Sequence, residues 1–162
     1  MTKIALHVNG APIQSDVEPR TSLADFVRET CGLTATHLGC EHGACGACTV
    51  LVDGVIARSC LKFAVMCDGR NVVTLEGLAD DPLTDVLRQA FHESHALQCG
   101  FCTPGMLMAG RDLLRRNPTP SEDEVRQALA GHICRCTGYS GIVHAIKLAS
   151  TRLTPAECTS QA

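Results

Sequence analysis

The chain has 162 residues, of which 45% are hydrophobic, 19% charged and 3% aromatic, with no Trp and a formal net charge of −3. That composition belongs to a folded chain rather than a disordered or fibrous one, and the length suits one ordinary domain or two small ones. Residues 1–76 carry 6 basic and 8 acidic groups and residues 77–162 carry 8 and 9, so no basic face is available for a phosphate backbone and the charge argues against nucleic-acid binding.

Ile4, Leu6 and Val8 alternate with polar or small residues, and Asn9-Gly10 then supplies a type I′ hairpin turn. Residues 11–17 form the return strand, which Pro12 pushes to a sheet edge. Thr21 or Ser22 caps a helix with apolar positions Leu23, Phe26 and Val27 that stops at Gly32. A loop carrying Cys40, Cys45 and Cys48 comes next. Asp53-Gly54 turns a second hairpin whose return strand delivers Cys60, and Val72-Val73-Thr74-Leu75 is a last short strand. The expectation for residues 1–77 is a small mixed sheet with one helix.

Asp80-Asp81-Pro82 breaks the chain and caps an amphipathic helix, whose spacing is kept by Leu83, Val86, Leu87, Ala90, Phe91 and Ser94. Cys99 and Cys102 precede a helix predicted from about Pro104 to Arg116 and stopped by Asn117-Pro118. A third helix opens within residues 119–124 and ends at Gly131. Cys134 and Cys136 precede a fourth, from about Ser140 to Arg152. Four helices with short links predict a bundle over residues 78–153, and residues 154–162 are expected to fray. The fold class is therefore α+β. No apolar run approaches the roughly eighteen residues of a membrane span, and Met1-Thr2-Lys3-Ile4-Ala5-Leu6 has no signal-peptide core, so the expected location is cytoplasmic.

Cysteine is the outlier, with 11 in the chain. In a reducing compartment structural disulfides are rare, and many retained thiols point to metal. Cys40, Cys45, Cys48 and Cys60 read C-x4-C-x2-C followed by a fourth cysteine, the plant-type [2Fe–2S] spacing. Gly43 and Gly46 suit the left-handed turns that let amide N–H groups face anionic sulfur. Cys99, Cys102, Cys134 and Cys136 read C-x2-C and C-x-C, a spacing that leaves iron–sulfur and zinc both open. Both pairs of that second set sit ahead of predicted helix N-termini, whose partial positive charge favours a thiolate-bound metal of either kind. Each half is small enough that bound metal would contribute to its folding free energy.

Other residues read more plainly. Cys31, Cys67 and Cys158 are spare thiols of core or surface. His42 invites a Rieske-type reading, but that centre needs two histidines in place of two cysteines. His37, His92, His95 and His144 read as helix-surface or cap residues, and Met106 and Met108 as core or interface filler. Arg111, Arg115 and Arg116 read as a solvated face, with a subunit contact as the alternative. No nucleophile with a paired base, phosphate loop or dinucleotide fingerprint is present, so the chain is expected to carry electrons rather than transform substrate.

Three long motifs occur in order: Gly39-Cys40-Glu41-His42-Gly43-Ala44-Cys45-Gly46-Ala47-Cys48-Thr49-Val50, Gln98-Cys99-Gly100-Phe101-Cys102-Thr103-Pro104-Gly105, and Cys134-Arg135-Cys136-Thr137-Gly138-Tyr139. Over residues 3–152 the sequence resembles the iron–sulfur subunit of molybdenum hydroxylases, the xanthine dehydrogenase, aldehyde oxidoreductase and carbon monoxide dehydrogenase family. The resemblance implies a β-grasp, plant-ferredoxin-like N-terminal domain and a helical C-terminal domain, each holding one [2Fe–2S] cluster, and so assigns the second set to iron–sulfur. It further implies a large subunit with a molybdenum-pterin cofactor and a medium subunit with FAD. Substrate is then hydroxylated with oxygen from water, and electrons pass through the clusters at Cys99, Cys102, Cys134 and Cys136, then at Cys40, Cys45, Cys48 and Cys60. Gln98 and Cys136 match positions that approach the pterin. His132 departs from the family, which usually has Asn there. A freestanding two-cluster ferredoxin-type carrier is the alternative to the complex subunit, and a zinc-stabilised interaction module is a third reading.

Overall fold

The computed structural model describes residues 1–153, so Cys158 lies outside the described residues. Strand β1 (Thr2–Val8) buries Ile4, Leu6 and Val8 on one face, each at 3% exposure, and exposes the residues between them. Asn9 and Gly10 both have positive φ, 51° and 80°, the geometry of a type I′ turn, and return the chain antiparallel as β2 (Ala11–Val17) with Val8 facing Ala11. β3 (Thr49–Val52) and β4 (Val55–Arg58) form the second hairpin around Asp53 and Gly54, again with both φ positive at 49° and 77°. β5 (Asn71–Val73) runs parallel to β1 and antiparallel to β3 and joins the hairpins into one sheet of order β2-β1-β5-β3-β4. Pro12 thus lies on an edge strand, where its missing N–H costs no ladder bond.

The helix expected before Gly32 is present in altered form. Ser22 caps it, accepting from the Asp25 amide, but α1 (Leu23–Asp25) passes at once into a π-turn over Phe26–Thr30. The wider turn keeps Leu23, Phe26 and Val27 fully buried against Ile4, Leu6, Val50 and Val72. Each such side chain contributes about 1.5–3 kcal/mol on leaving water. Cys67 belongs to this core and Cys31 packs against it, and burial raises both thiols.

The second half holds α2 (Pro82–Glu93), α3 (Thr103–Arg116), α4 (Glu122–Leu129) and α5 (Ser140–Arg152). Leu83, Leu87, Phe91, Met106, Leu114 and Ile142 fill its centre. Ser121 and Glu124 form a capping box at α4. Met108 leaves this cluster and packs with Leu78 on Leu51 and Val73 of the sheet, joining the two halves with an apolar contact.

Arg111 corrects the expectation of a solvated face. It is 1% exposed, and its Nε and Nη2 each lie 2.9 Å from the Asp81 carboxylate in a two-pronged pair. Asp81 also caps α2 by accepting from the Thr84 amide at 2.8 Å. Burial opposes its charge, yet the Arg111 and Thr84 hydrogen bonds hold its carboxyl well below the usual range. One buried ion pair therefore ties the start of α2 to the middle of α3.

Candidate metal centres

One loop and one hairpin build the first cysteine set. Glu41, Gly43 and Gly46 take positive φ of 57°, 83° and 74°, curling the backbone about Cys40, and the Cys45 amide reaches the Cys40 sulfur at 3.3 Å. Gly43 is required twice, because a Cβ there would also stand 2.5 Å from Leu61 Cδ1. The β3–β4 register pairs Thr49 with Arg58, which draws Cys48 and Cys60 together just beyond the paired strands. The Ser59 amide and hydroxyl secure that end by donating to the Cys48 carbonyl at 3.2 and 2.7 Å. The amides of His42 and Cys45 lower the Cys40 thiol to about 6, whereas burial beside Cys48 pushes Cys60 up to about 11. His42 turns its Nδ1 to the Cys40 carbonyl rather than to a thiol.

Two distant segments meet to form the second set. Cys102 caps α3 and is buried, while Cys99 is exposed. The other segment is held by Tyr139, whose hydroxyl accepts from the Cys134 amide at 2.9 Å and donates to the His132 carbonyl at 3.0 Å. Thr137 donates to the Cys134 sulfur from its hydroxyl at 3.1 Å and from its amide at 3.5 Å. Burial works against the Cys134 thiolate, but these Thr137 bonds lower the thiol below its ordinary value. The Phe101 amide lowers Cys99, and burial with Cys134 alongside pushes Cys102 up to about 12. Cys136 Sγ lies 3.4 Å from Cys99 Sγ, a contact that raises Cys136. Close packing brings the segments together: at Gly141, which opens α5, a Cβ would stand 2.9 Å from the Ser94 carbonyl.

Cys99 and Cys136 are in direct contact, and Cys45 shifts Cys40, Cys48 shifts Cys60 and Cys134 shifts Cys102, with smaller charge effects of Cys40 on Cys60 and of Cys99 on Cys102. Two thiolates at each of two irons is what a [2Fe–2S] rhomb takes, whereas tetrahedral zinc takes four at one point. The donor set, with amide N–H groups turned to the sulfurs, fits one binuclear cluster in each half. Gln98 is exposed beside Cys99, and Cys136 shares that face.

The two sets face each other across a polar knot that the sequence did not disclose. The Thr49 hydroxyl donates to the Gly46 carbonyl at 2.6 Å and receives Arg58 Nη1 at 2.7 Å. Its one proton is thus committed, so the 3.2 Å contact to His132 Nε2 has the imidazole donating. His132 Nδ1 is then a bare, buried nitrogen without a hydrogen-bond partner. Burial, and next the Arg58 charge, lower His132 to about 4, so the ring is neutral. His37 also differs from the expectation of a cap residue: it stacks on Phe101 with ring centroids 4.8 Å apart and contacts the Phe101 carbonyl at 2.8 Å. Tyr139 was legible as the chain's one tyrosine, placed before a helix, but its two-way grip on the loop was not.

Known proteins match along the same division. A model described as a 2Fe-2S iron-sulfur cluster binding domain matches residues 6–72, and one described as a [2Fe-2S] binding domain matches residues 74–147. The chain is 51% identical over 150 residues to caffeine dehydrogenase subunit gamma of Pseudomonas sp. (strain CBB1), covering 91% of this chain and 90% of that one. It is 51% identical over 144 residues to the nicotine 6-hydroxylase small subunit of Paenarthrobacter nicotinovorans, covering 89% and 87%. The crystal structure of quinoline 2-oxidoreductase from Pseudomonas putida 86 superposes with a TM-score of 0.87 at 48% identity, over 93% of this chain and 94% of that one. A five-stranded ferredoxin-like sheet and a domain of four main helices, each a [2Fe–2S]-binding unit, thus make up a component of a molybdenum oxidoreductase complex. The chain belongs to the family of small [2Fe–2S] subunits of molybdenum hydroxylases.

Proposed function

We propose that Cys40, Cys45, Cys48 and Cys60 hold one [2Fe–2S] cluster within residues 1–77, and Cys99, Cys102, Cys134 and Cys136 a second within residues 78–153. The mutual influence of the thiols within each set carries this reading. Each bound cluster supplies one-electron exchange at a fixed point. The chain places and insulates those points: amides and the Thr137 hydroxyl stabilise the thiolates, and Cys48 and Cys102 are buried. We infer that electrons enter from a molybdenum-pterin site on a large subunit, with Gln98 and Cys136 toward the pterin, and leave past Cys40 toward FAD on a medium subunit.

Exposed apolar side chains support two partner faces. Leu97, Phe101 and Ile133 flank the second set at 42%, 47% and 54% exposure, and Leu61, Phe63 and Met66 follow Cys60 at 60%, 48% and 60%. Two such faces favour a lasting subunit over a freestanding two-cluster carrier. The complex uses water as oxygen source in a cytoplasmic setting, and the relatives named for caffeine, nicotine and quinoline support a nitrogen heterocycle as substrate. The test is anaerobic purification with its neighbours: the expected result is a molybdenum protein co-purifying, four irons per copy of this chain, about two irons per cluster, and two distinguishable EPR signals after dithionite. Zinc without sulfide, or a lone soluble carrier, overturns it.

A further inference from the structure

The loops of the two cysteine sets touch at one backbone hydrogen bond, from the Ile133 amide to the Cys45 carbonyl at 2.9 Å. Cys45 belongs to the first set, and Ile133 immediately precedes Cys134 of the second. Gly46 sits against this contact without clearance, since a Cβ there would stand 2.5 Å from His132 Cδ2 and 2.6 Å from the Gly131 carbonyl. Gly105, at the start of α3, is pressed as tightly, its Cβ position 2.4 Å from the Gly46 carbonyl. The two loops are thus in van der Waals contact at Gly46, so a small shift of one against the other changes this junction.

The Thr49 knot is placed to hold this junction. Its hydroxyl is bonded to Gly46 of one loop and His132 of the other, and Arg58 reaches Thr49 at 2.7 Å and the Gly131 carbonyl at 2.8 Å. Three groups thus converge on the Thr49 hydroxyl, and a fourth hydrogen bond runs from Arg58 to the Gly131 carbonyl. Only the buried tautomer with the proton on Nε2 completes the arrangement, because the Thr49 proton is already given to Gly46. An Asn side chain at position 132 carries an amide N–H that can make the same donation.

We infer that Thr49, Arg58 and His132 are positioning residues that set the separation of the two thiol sets and keep the Ile133–Cys45 hydrogen bond formed. This rests on the two-centre reading above. Removing the knot leaves every thiol in place but frees one loop to shift on the other. No cysteine is touched, so cluster content is unaffected. What changes is the distance between the centres, which dipolar coupling between two reduced, paramagnetic clusters reports through its inverse-cube dependence.

The test uses the complete complex, reduced with dithionite, and compares low-temperature EPR splitting, iron content and the rate of electron exchange between the centres. Thr49→Val and His132→Ala are expected to retain all the iron and both signals while losing or broadening the splitting and slowing exchange. Thr49→Ser and His132→Asn, which keep a hydroxyl and a donor, are expected to match the native complex. Native splitting in Thr49→Val and His132→Ala overturns the inference, as does loss of either cluster in them, which would make the residues part of a metal site. A native complex without two signals overturns the two-centre reading instead.

Discussion

The two cysteine sets have equal numbers of thiols but are assembled in opposite ways. The first lies on one stretch of chain, residues 40–60, where left-handed turns and a strand register place it. The second joins segments that the packing of α5 against the end of α2 brings together, with Tyr139 and Thr137 holding the far one. A site made by local turns depends on its own loop. A site made by packing depends on the whole bundle and should be the first lost when the bundle loosens.

The largest effect comes from the ligands. Cys48→Ser should cost the first cluster and leave the EPR signal of the second, whereas Cys102→Ser should cost the second cluster and lower the melting temperature as well, since bound metal contributes directly to folding. Equal stability losses in the two variants would break the comparison. Next is the buried pair. Arg111→Met removes the two-pronged guanidinium from buried Asp81 and should cost about 3–5 kcal/mol in denaturant unfolding, with iron lost from the second set first. Asp81 is held below its ordinary value, so its contribution is present above about pH 4 and is lost as pH falls below it. Native protein and variant should accordingly converge in stability on acidification through that range.

Tyr139→Phe sharpens the contrast. It removes the acceptor of the Cys134 amide and the donor to the His132 carbonyl, a loss of about 1–3 kcal/mol that should broaden only the second EPR signal. Gly43→Ala is the counterpart in the first site. A φ of 83° costs an L-residue about 1–2 kcal/mol, and Leu61 must also move from the new methyl. Only the first signal should change, and the bundle's melting temperature should hold. A disturbed second signal in that variant would mean that the loops transmit strain across the Ile133–Cys45 contact.

The hairpins and the helix starts were legible from the sequence because each is written in neighbouring residues. Asn9-Gly10 and Asp53-Gly54 specify their turns, Ser22 and Asp81 their caps, and C-x4-C-x2-C its loop. The early helix was legible in place but not in form, because a π-turn and an α-turn bury the same Leu23, Phe26 and Val27. The second site could be read as four thiols but not as one metal, since its spacing also admits zinc until the family motifs are weighed.

Local pattern alone determined the two-part α+β fold and its turns. Tertiary structure decided that Cys136 meets Cys99, that Arg111 is buried on Asp81 rather than solvated, that His37 lies on Phe101, and that His132 reaches Thr49 across 83 positions of chain. The reason is physical. Turn and cap preferences are settled within a few residues, but burial of a charge or commitment of a hydroxyl proton depends on groups that become neighbours only when the sheet and the bundle close on each other.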